Sequence, residues 1–108
     1  MAGHRKEDPK VDEQLVALRH ELRRQIMRMW GRSPDQPLSP REVSGALRQP
    51  LSNVSYHVRV LAECEAIRLV DTKPVRGSMQ HFYRPNPSFI GQTWVADVLG
   101  LKAAPGAA

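Results

Sequence analysis

A helix followed at once by two alternating strands constrains the fold of this chain more than any other feature. Residues 51–66, LSNVSYHVRVLAECEA, carry apolar side chains at helical spacing, and residues 67–72 and 78–84, IRLVDT and SMQHFYR, alternate as β-strands do. The linking segment KPVRG contains Gly77, which suits a turn position with positive φ. The sequence therefore predicts a helix followed by an antiparallel β-hairpin.

A second helix start precedes this unit. In the segment LSPREVSGALRQP, Ser39 can cap a helix, Pro40 suits the first helical position and Glu42 completes a capping box. Because Pro50 keeps the next connection short, the two helices should cross steeply. The residues predicted for the core face of this first helix are Val43, Ala46 and Leu47. Those predicted to point outward are Arg41, Ser44 and Arg48.

The helix that follows Pro50 has an apolar face and a polar face, and Ser52 is predicted to cap it. The residues predicted to be core are Val54, Val58 and Leu61, flanked by His57, Val60 and Cys64. The residues predicted to be exposed are Ser52, Ser55, Tyr56, Arg59 and Glu63. The helix pair and the hairpin together predict a winged helix-turn-helix, whose second helix can enter the major groove of DNA.

This arrangement assigns DNA contacts to the second helix. Ser52 and Ser55 are expected to bond phosphates or base edges, and Asn53 is expected to pair with adenine. Tyr56 should contact a thymine methyl group or a phosphate, and Arg59 a guanine or a phosphate. The alternative interpretation is that Ser52 is only a cap and Tyr56 only a surface aromatic residue.

The hairpin and the first helix of the pair supply the remaining candidate contacts. Lys73 and Arg76, predicted at the hairpin tip, can reach an adjacent minor groove, although a solubilising loop would contain the same residue types. Arg41 and Ser44, with Arg48, are candidates for contacts to the DNA backbone. Cations also exceed anions in the hairpin, since residues 66–84 contain four Lys and Arg and one Asp.

The whole chain of 108 residues has 16 Lys and Arg against 11 Asp and Glu, and its net charge of +5 favours a polyanionic partner. Its length fits one domain and is too short for a separate catalytic domain. The single cysteine, Cys64, excludes an intrachain disulfide and a C-x-x-C zinc site. With no apolar run of membrane-spanning length and no signal-peptide pattern, the chain is expected to be cytoplasmic and to have no membrane partner.

The titratable residues form no recognisable catalytic arrangement, so we expect no enzyme activity and no cofactor. His57 and His81 are predicted to be packed or hydrogen-bonded residues rather than metal ligands. Cys64 is predicted to be a buried, inert thiol. An alternative hypothesis, in which oxidation of Cys64 shifts the second helix, stays open.

The first and last predicted helices have apolar surfaces wider than one core-facing side requires. The first extends over residues 12–30, and the last, capped by Ser88, over residues 89–99. Such surfaces predict burial against a second subunit as well as the core. The residues expected in that dimer interface are Leu15, Leu22, Ile26, Trp94 and Val98. Arg24 and Arg28, on the polar side of the first helix, are predicted to be solvated or, alternatively, to touch the DNA backbone.

The predicted fold class is mainly α with a small antiparallel β-hairpin, flanked by N- and C-terminal dimerisation helices. We predict a disordered arm over residues 1–10, one winged helix-turn-helix domain over residues 11–101 and a disordered tail over residues 102–108. Within the domain, the helix-turn-helix covers residues 39–64, the hairpin residues 66–84 and the C-terminal helix residues 88–100.

Residues 38–84 resemble the winged helix-turn-helix of the ArsR family of bacterial transcriptional regulators. The resemblance rests on the Ser-x-x-Ser-x-His-x-x-x-Leu spacing of Ser52, Ser55, His57 and Leu61, and on the arginine-glycine pair in the hairpin. It implies a dimeric repressor in which the first and last helices form the interface. Many members bind metals through a Cys-x-Cys pair or through carboxylate and histidine ligands. These ligands have no counterpart here, so no metal is expected.

We therefore expect a homodimeric, sequence-specific regulator, acting as a repressor, that binds double-stranded DNA at a partly palindromic operator. The alternative is a winged-helix module for protein–protein contact with little specific DNA binding. Residues 38–65 favour this alternative to some degree because their charges balance, whereas a strong DNA reader would be more basic.

Overall fold

The computed structural model describes residues 9–101, with side chains from Val11 onward. The elements in this range are α1 (Pro9–Ala17), α2 (Glu21–Arg32), α3 (Pro40–Leu47), α4 (Leu51–Glu63), β1 (Ile67–Val75), β2 (Ser78–Pro85), α5 (Pro87–Ile90) and α6 (Thr93–Leu99). The predicted tail and residues 1–8 of the predicted arm lie outside the described residues. Pro9 and Lys10, assigned to the arm from the sequence, already belong to α1.

The first helix is broken, whereas the sequence predicted one continuous helix over residues 12–30. A turn at residues 18–20 separates α1 from α2. His20 caps the second helix, since its Nδ1 accepts a hydrogen bond from the Leu22 amide (3.2 Å). The apolar stripe did not reveal this break because it continues in the same phase on both sides of the turn.

Two arginines that were predicted to be solvated bind backbone carbonyls instead. Arg24 donates to the carbonyl oxygens of Leu18 (2.7 Å) and Arg19 (3.1 Å), just past the end of α1. Arg28 donates through Nε to the carbonyl of Leu99 (2.7 Å) at the end of α6. Both guanidinium groups thus bind carbonyl groups at helix C-termini, where cations are also favoured by the helix dipole.

The predicted start of α3 is confirmed. Ser39 Oγ accepts a hydrogen bond from the Glu42 amide (3.2 Å), Glu42 Oε1 accepts one from the Ser39 amide (2.9 Å), and Pro40 is the first helical residue. Val43 is buried as predicted, but Ala46 is exposed because this short helix buries only the side that carries Val43. The capping signals therefore located the start of α3 correctly, whereas the helical spacing predicted a wider core face than this helix has.

The helix α4 begins earlier than predicted. Pro50 occupies the N-cap position and no side chain caps the helix, so the assignment of Ser52 as the cap was wrong. Proline fixes φ near the helical value, here −55°, and leads the chain directly into the helix at Leu51. The buried residues of α4 are Val54, His57, Val58 and Leu61, which confirms its predicted core face.

The strands β1 and β2 form the predicted antiparallel hairpin, joined by a two-residue turn at Arg76 and Gly77. Both turn residues have positive φ, 45° and 84°, as a type I′ turn requires. Leu38 pairs with Tyr83 through two backbone hydrogen bonds (3.0 and 2.9 Å) on the other side of β2. The indole N–H of Trp30 donates to the same Tyr83 carbonyl (2.9 Å), so the hairpin is anchored to α2.

The predicted C-terminal helix is divided into α5 and α6, with a turn at Gly91 and Gln92. Asn86, rather than Ser88, caps α5. Its side-chain oxygen accepts a hydrogen bond from the Ser88 amide (3.0 Å), while its side-chain amide donates to the Glu65 carbonyl (2.8 Å). Asn86 outcompetes Ser88 as the cap because it binds both α5 and the chain that leaves α4.

The core lies where α2, α4, β1 and the last two helices meet. Its largest fully buried side chains are Trp30, Phe89, Ile26, Met27, Leu61 and Ile67. Ile26 is completely buried within the fold of its own chain, so its assignment to a dimer interface was wrong.

We expect Ser39→Ala to lower the free energy of unfolding by about 1–2 kcal/mol. The Ser39 hydroxyl is fully buried and accepts hydrogen bonds from the Glu42 amide and from the side chain of Gln80 on β2 (3.0 Å), so alanine removes the acceptor of two donors. Urea unfolding followed by circular dichroism measures the loss. Ser88→Ala is the matched control, and an equal loss in both variants would contradict the structural role of Ser39.

Candidate nucleic-acid interface

The outer side of α4 carries a continuous polar surface. Ser52, Asn53, Tyr56 and Arg59 are exposed, and Ser55 is half-buried. Because residues three and four apart lie on the same side of a helix, these side chains are neighbours opposite the buried core face. The helix therefore presents hydroxyl, amide, phenol and guanidinium groups together on one side.

A groove lies between α4 and the wing, which consists of β1, β2 and their turn. Its polar walls come from Arg41 on α3, from Ser55, Arg59 and Glu63 on α4 and from Gln80 and His81 on β2. The apolar residues that line it are Pro40, Leu51, Val58, Ala62, Met79 and Tyr83. Two guanidinium groups thus border this α4–wing groove, directly beside the polar surface of α4.

Arg41 is more central than the sequence indicated. It lines the α4–wing groove and also a second concavity that continues to the wing tip at Arg76. The side chain of Gln80 donates to Ser39 Oγ (3.0 Å), which holds the start of α3 against the wing and so places Arg41 there. Ser39 and Gln80 are 41 positions apart, and no local sequence signal predicts that contact.

Arg76 lies at the wing tip as predicted, whereas Lys73 does not. The turn has only two residues, so β1 continues through Lys73, which pairs with Gln80. Its ammonium group lies over the ring of Phe82, 5.2 Å from the centroid, at a cation–π distance. Pro74, which was expected in the linker, also lies in β1, because a strand that pairs on one side only tolerates proline on its open edge.

Ser44 is engaged inside the helix-turn-helix. Its hydroxyl donates to the Gln49 carbonyl, and the Gln49 amide donates to the Ser44 carbonyl (3.2 Å). Arg48, in the left-handed conformation with φ 55°, ends α3 within the same turn. These bonds hold α3 and α4 in their relative orientation, and Ser44 is therefore a turn residue rather than a surface donor.

His57 is buried where α2 meets α4, beside the exposed Tyr56. Its Nδ1 accepts a hydrogen bond from Nε of Arg23 (3.0 Å), and its ring centroid lies 4.3 Å from that of His20. Burial, with added repulsion from His20 and Arg23, lowers the pKa of His57 below its ordinary value of 6.5. The prediction of a packed, hydrogen-bonded histidine is confirmed.

We expect the stability of the fold to decrease as the pH falls below about 6.5. Above that pH, His57 is neutral in both the folded and the unfolded chain. Below it, the unfolded chain binds the proton more readily, because folding lowers the pKa of His57. The difference between urea midpoints at about pH 7.5 and about pH 5.5 should shrink in His57→Gln. His81→Gln, which changes an exposed histidine on the wing, is the control, and an undiminished pH dependence in His57→Gln would refute the assignment.

Two further titratable residues were predicted from the sequence to be buried or packed. His81 is exposed and lines the α4–wing groove, so it is not packed as predicted, because no described element closes over its face of the hairpin. Cys64 is buried as predicted, and its thiol donates to the Leu61 carbonyl (3.5 Å). Within residues 9–101, no group of three or more His, Cys, Asp or Glu side chains is arranged to hold a metal ion.

The remaining residues assigned to a dimer interface differ in exposure. Leu15 on α1 and Val98 on α6 are 48% and 42% exposed, whereas Leu22 and Trp94 are half-buried against the core. Val16, beside Leu15, is also exposed. Apolar side chains on α1 and α6 therefore remain open in the single chain. No helix in the described part of the chain is long and apolar enough to cross a membrane.

Comparison with solved structures identifies the fold. The sequence matches no protein-family profile, and no curated protein is detectably similar to it. A possible transcriptional regulator from Methanosarcina mazei is similar in structure, with a TM-score of 0.59 and 23% identity over 82% of this chain and 81% of that chain. Reduced HlyU from Vibrio cholerae is similar with a TM-score of 0.57 and 23% identity over 94% and 93% of the two chains. Taken with the order of its elements, these likenesses show that the chain has the winged helix-turn-helix fold.

Proposed function

We propose that the chain is a DNA-binding transcriptional regulator in which α4 enters the major groove and the wing contacts the adjacent DNA. The observation that carries this proposal is the convergence of Arg41, Arg59 and Arg76 around the α4–wing groove and the wing tip. Arginine suits this role because its guanidinium can donate two hydrogen bonds at once to a phosphate or to a guanine edge. The fold shared with the possible regulator from Methanosarcina mazei supports the same function.

In this proposal the polar surface of α4 reads the DNA. Ser52, Asn53 and Ser55, on the first turns, bond base edges or phosphates, and Tyr56 contacts a thymine methyl group or a phosphate. Arg59 bonds a guanine or a phosphate. Lys73 adds positive charge along the side of the wing, because the two-residue turn keeps it away from the tip.

The test is fluorescence anisotropy of the purified protein on DNA tiled from upstream of its own gene, at several salt concentrations and against scrambled competitor. We expect a specific site with nanomolar affinity and a log–log salt slope of about −0.9 for each phosphate contacted. Weak binding that is equal on all sequences would overturn the proposal.

We further propose that the regulator acts as a homodimeric repressor on a partly palindromic operator, with its two α4 helices about 34 Å apart. The exposed apolar side chains of Leu15 on α1 and Val98 on α6 support a second subunit that packs on these two helices. We expect Leu15→Glu with Val98→Glu to halve the mass measured by light scattering, because four carboxylates would be buried in the dimer. Leu69→Glu with Val75→Glu, on the wing, is the control, and an unchanged mass in the first variant would contradict this interface.

A protein–protein contact module is the second candidate function. The observation that favours it is the apolar exposure of the wing, where Leu69, Val70, Val75 and Met79 are all open to solvent. In that case Arg59→Ala with Arg76→Ala would leave partner binding intact, whereas in the first proposal the same variant should bind DNA about a hundredfold more weakly.

A further inference from the structure

A second groove lies at the base of the wing, on a different part of the surface from the α4–wing groove. The residues that line it are Pro34, Asp35, Arg68, Val70, Arg84, Pro85, Pro87 and Ile90, none of which lines the α4–wing groove. Arg68 precedes the wing-tip Arg76 by eight residues, or about 25 Å along an extended strand. This basal groove is therefore remote from the DNA contacts proposed for the tip.

The two arginines of the basal groove form an unfavourable pair. Arg68 and Arg84 are direct cross-strand partners in the register of β1 and β2. The side chains of direct partners leave the same face with Cβ atoms about 5 Å apart, and like charges in this position repel each other. A protein gains stability at such a site when an anion lies between the two cations.

Only one of the two arginines has an acidic partner within the described residues. Arg84 is 3.3 Å from Asp35, whose side chain is 99% exposed, so this ion pair is a weak surface contact. Arg68 forms no ion pair with any residue between 9 and 101 for which the structure gives a side chain. The residues that line the basal groove thus include two cations, Arg68 and Arg84, and one anion, Asp35.

Apart from Asp35, the other residues that line the basal groove are apolar. Pro34, Pro85 and Pro87 contribute stiff rings, and Ile90 is half-buried beside them. A flat apolar body can pack on such a surface without ordering flexible side chains, which would cost conformational entropy. The groove therefore combines a site for one negative charge with a wall for a flat ring.

We propose that the basal groove binds a small aromatic carboxylate. The carboxylate accepts hydrogen bonds from Arg68 and Arg84, where guanidinium and carboxylate geometries match, and relieves the repulsion between them. The aromatic ring packs on the proline rings and Ile90. Both parts of the ligand are required, because the charge alone is well solvated in water and the exposed ring alone gains little from a shallow surface.

Benzoate is the probe for this site, titrated into the ¹⁵N-labelled full chain and followed by backbone amide NMR. We expect saturable shifts centred on the amides of Val70, Arg84 and Ile90. Benzamide, which has the ring without the charge, and acetate, which has the charge without the ring, should each bind at least about tenfold more weakly.

The variants separate recognition by Arg68 from general electrostatics. Arg68→Gln should weaken benzoate binding at least about tenfold, while Arg68→Lys, which keeps the charge, should weaken it less. Arg19→Gln removes the same charge from an exposed position that does not line the groove, and it should bind benzoate as the wild type does. Circular dichroism of each variant checks that the fold is unchanged.

Three outcomes would overturn the proposal. Benzamide binding as tightly as benzoate would mean that the carboxylate is not recognised, and undiminished binding to Arg68→Gln would exclude the guanidinium pair. Shifts centred on the α4–wing groove would place the anion at the wrong site. Since the titration contains no DNA, its result is independent of the result of the DNA-binding experiment.

Discussion

Trp30→Ala should lower the free energy of unfolding by about 3–5 kcal/mol, which is enough to leave much of a domain of this size unfolded. Trp30 is the largest of the fully buried side chains, and its indole N–H donates to the Tyr83 carbonyl (2.9 Å). Alanine would therefore leave a cavity in the core and also remove the hydrogen bond that anchors the wing to α2. Urea unfolding, followed by circular dichroism, measures the loss or shows that the cooperative transition has disappeared.

A graded variant separates the two contributions of Trp30. Trp30→Phe keeps most of the apolar volume but has no N–H, so we expect a smaller loss, of about 1–2 kcal/mol. Trp94→Phe is the matched control, because Trp94 is half-buried and its indole N–H bonds, among the described residues, only to the side chain of Gln92 (2.7 Å). A loss below about 1 kcal/mol in Trp30→Ala would be incompatible with its position at the centre of the core.

Replacing both Arg59 and Arg76 by alanine should weaken binding to the DNA site by about a hundredfold, since each well-placed arginine contributes about 1–3 kcal/mol. The two residues approach the duplex from different elements, α4 and the wing tip, so their effects should be nearly additive. Anisotropy titrations at fixed salt measure the affinity. The salt slope should also become shallower by about 0.9 for each phosphate that the variant no longer neutralises.

A charge-matched control decides whether this surface or only the net charge is responsible. Arg32→Ala with Arg68→Ala removes two positive charges from residues that line neither the α4–wing groove nor the concavity at the wing tip. We expect this control to retain its affinity within about threefold. An equal loss of affinity in both double variants would mean that binding follows net charge, and undiminished binding in Arg59→Ala with Arg76→Ala would remove the proposed interface.

The elements that were predicted correctly are those specified by neighbouring residues. The capping box of Ser39 and Glu42 forms within a single helical turn, and the positive φ of Gly77 is a property of glycine itself. The core face of α4 follows from helical spacing alone. Such signals are readable because the groups that interact are at most four residues apart in the chain.

The candidate site was predictable in part for the same reason. The exposure of Tyr56 and Arg59 follows from the helical period, and the position of Arg76 follows from the turn. The central place of Arg41 does not, because it depends on the hydrogen bond between Gln80 and Ser39 across 41 positions. The strand position of Lys73 likewise depends on pairing with β2, which overrides the preference of Pro74 for a turn.

Short-range spacing and capping specify the order of the helices and strands, the capped start of α3 and the buried face of α4, and all of these can be read from the amino-acid sequence. The attachment of the last two helices depends instead on tertiary contacts. Arg28 on α2 bonds the carbonyl of Leu99 at the end of α6, and Asn86 at the start of α5 bonds the carbonyl of Glu65 just after α4, so residues 71 and 21 positions apart hold these helices in place. The pairing of Arg68 with Arg84 also arises only when the strands come into register, since no local pattern brings two residues on different strands together.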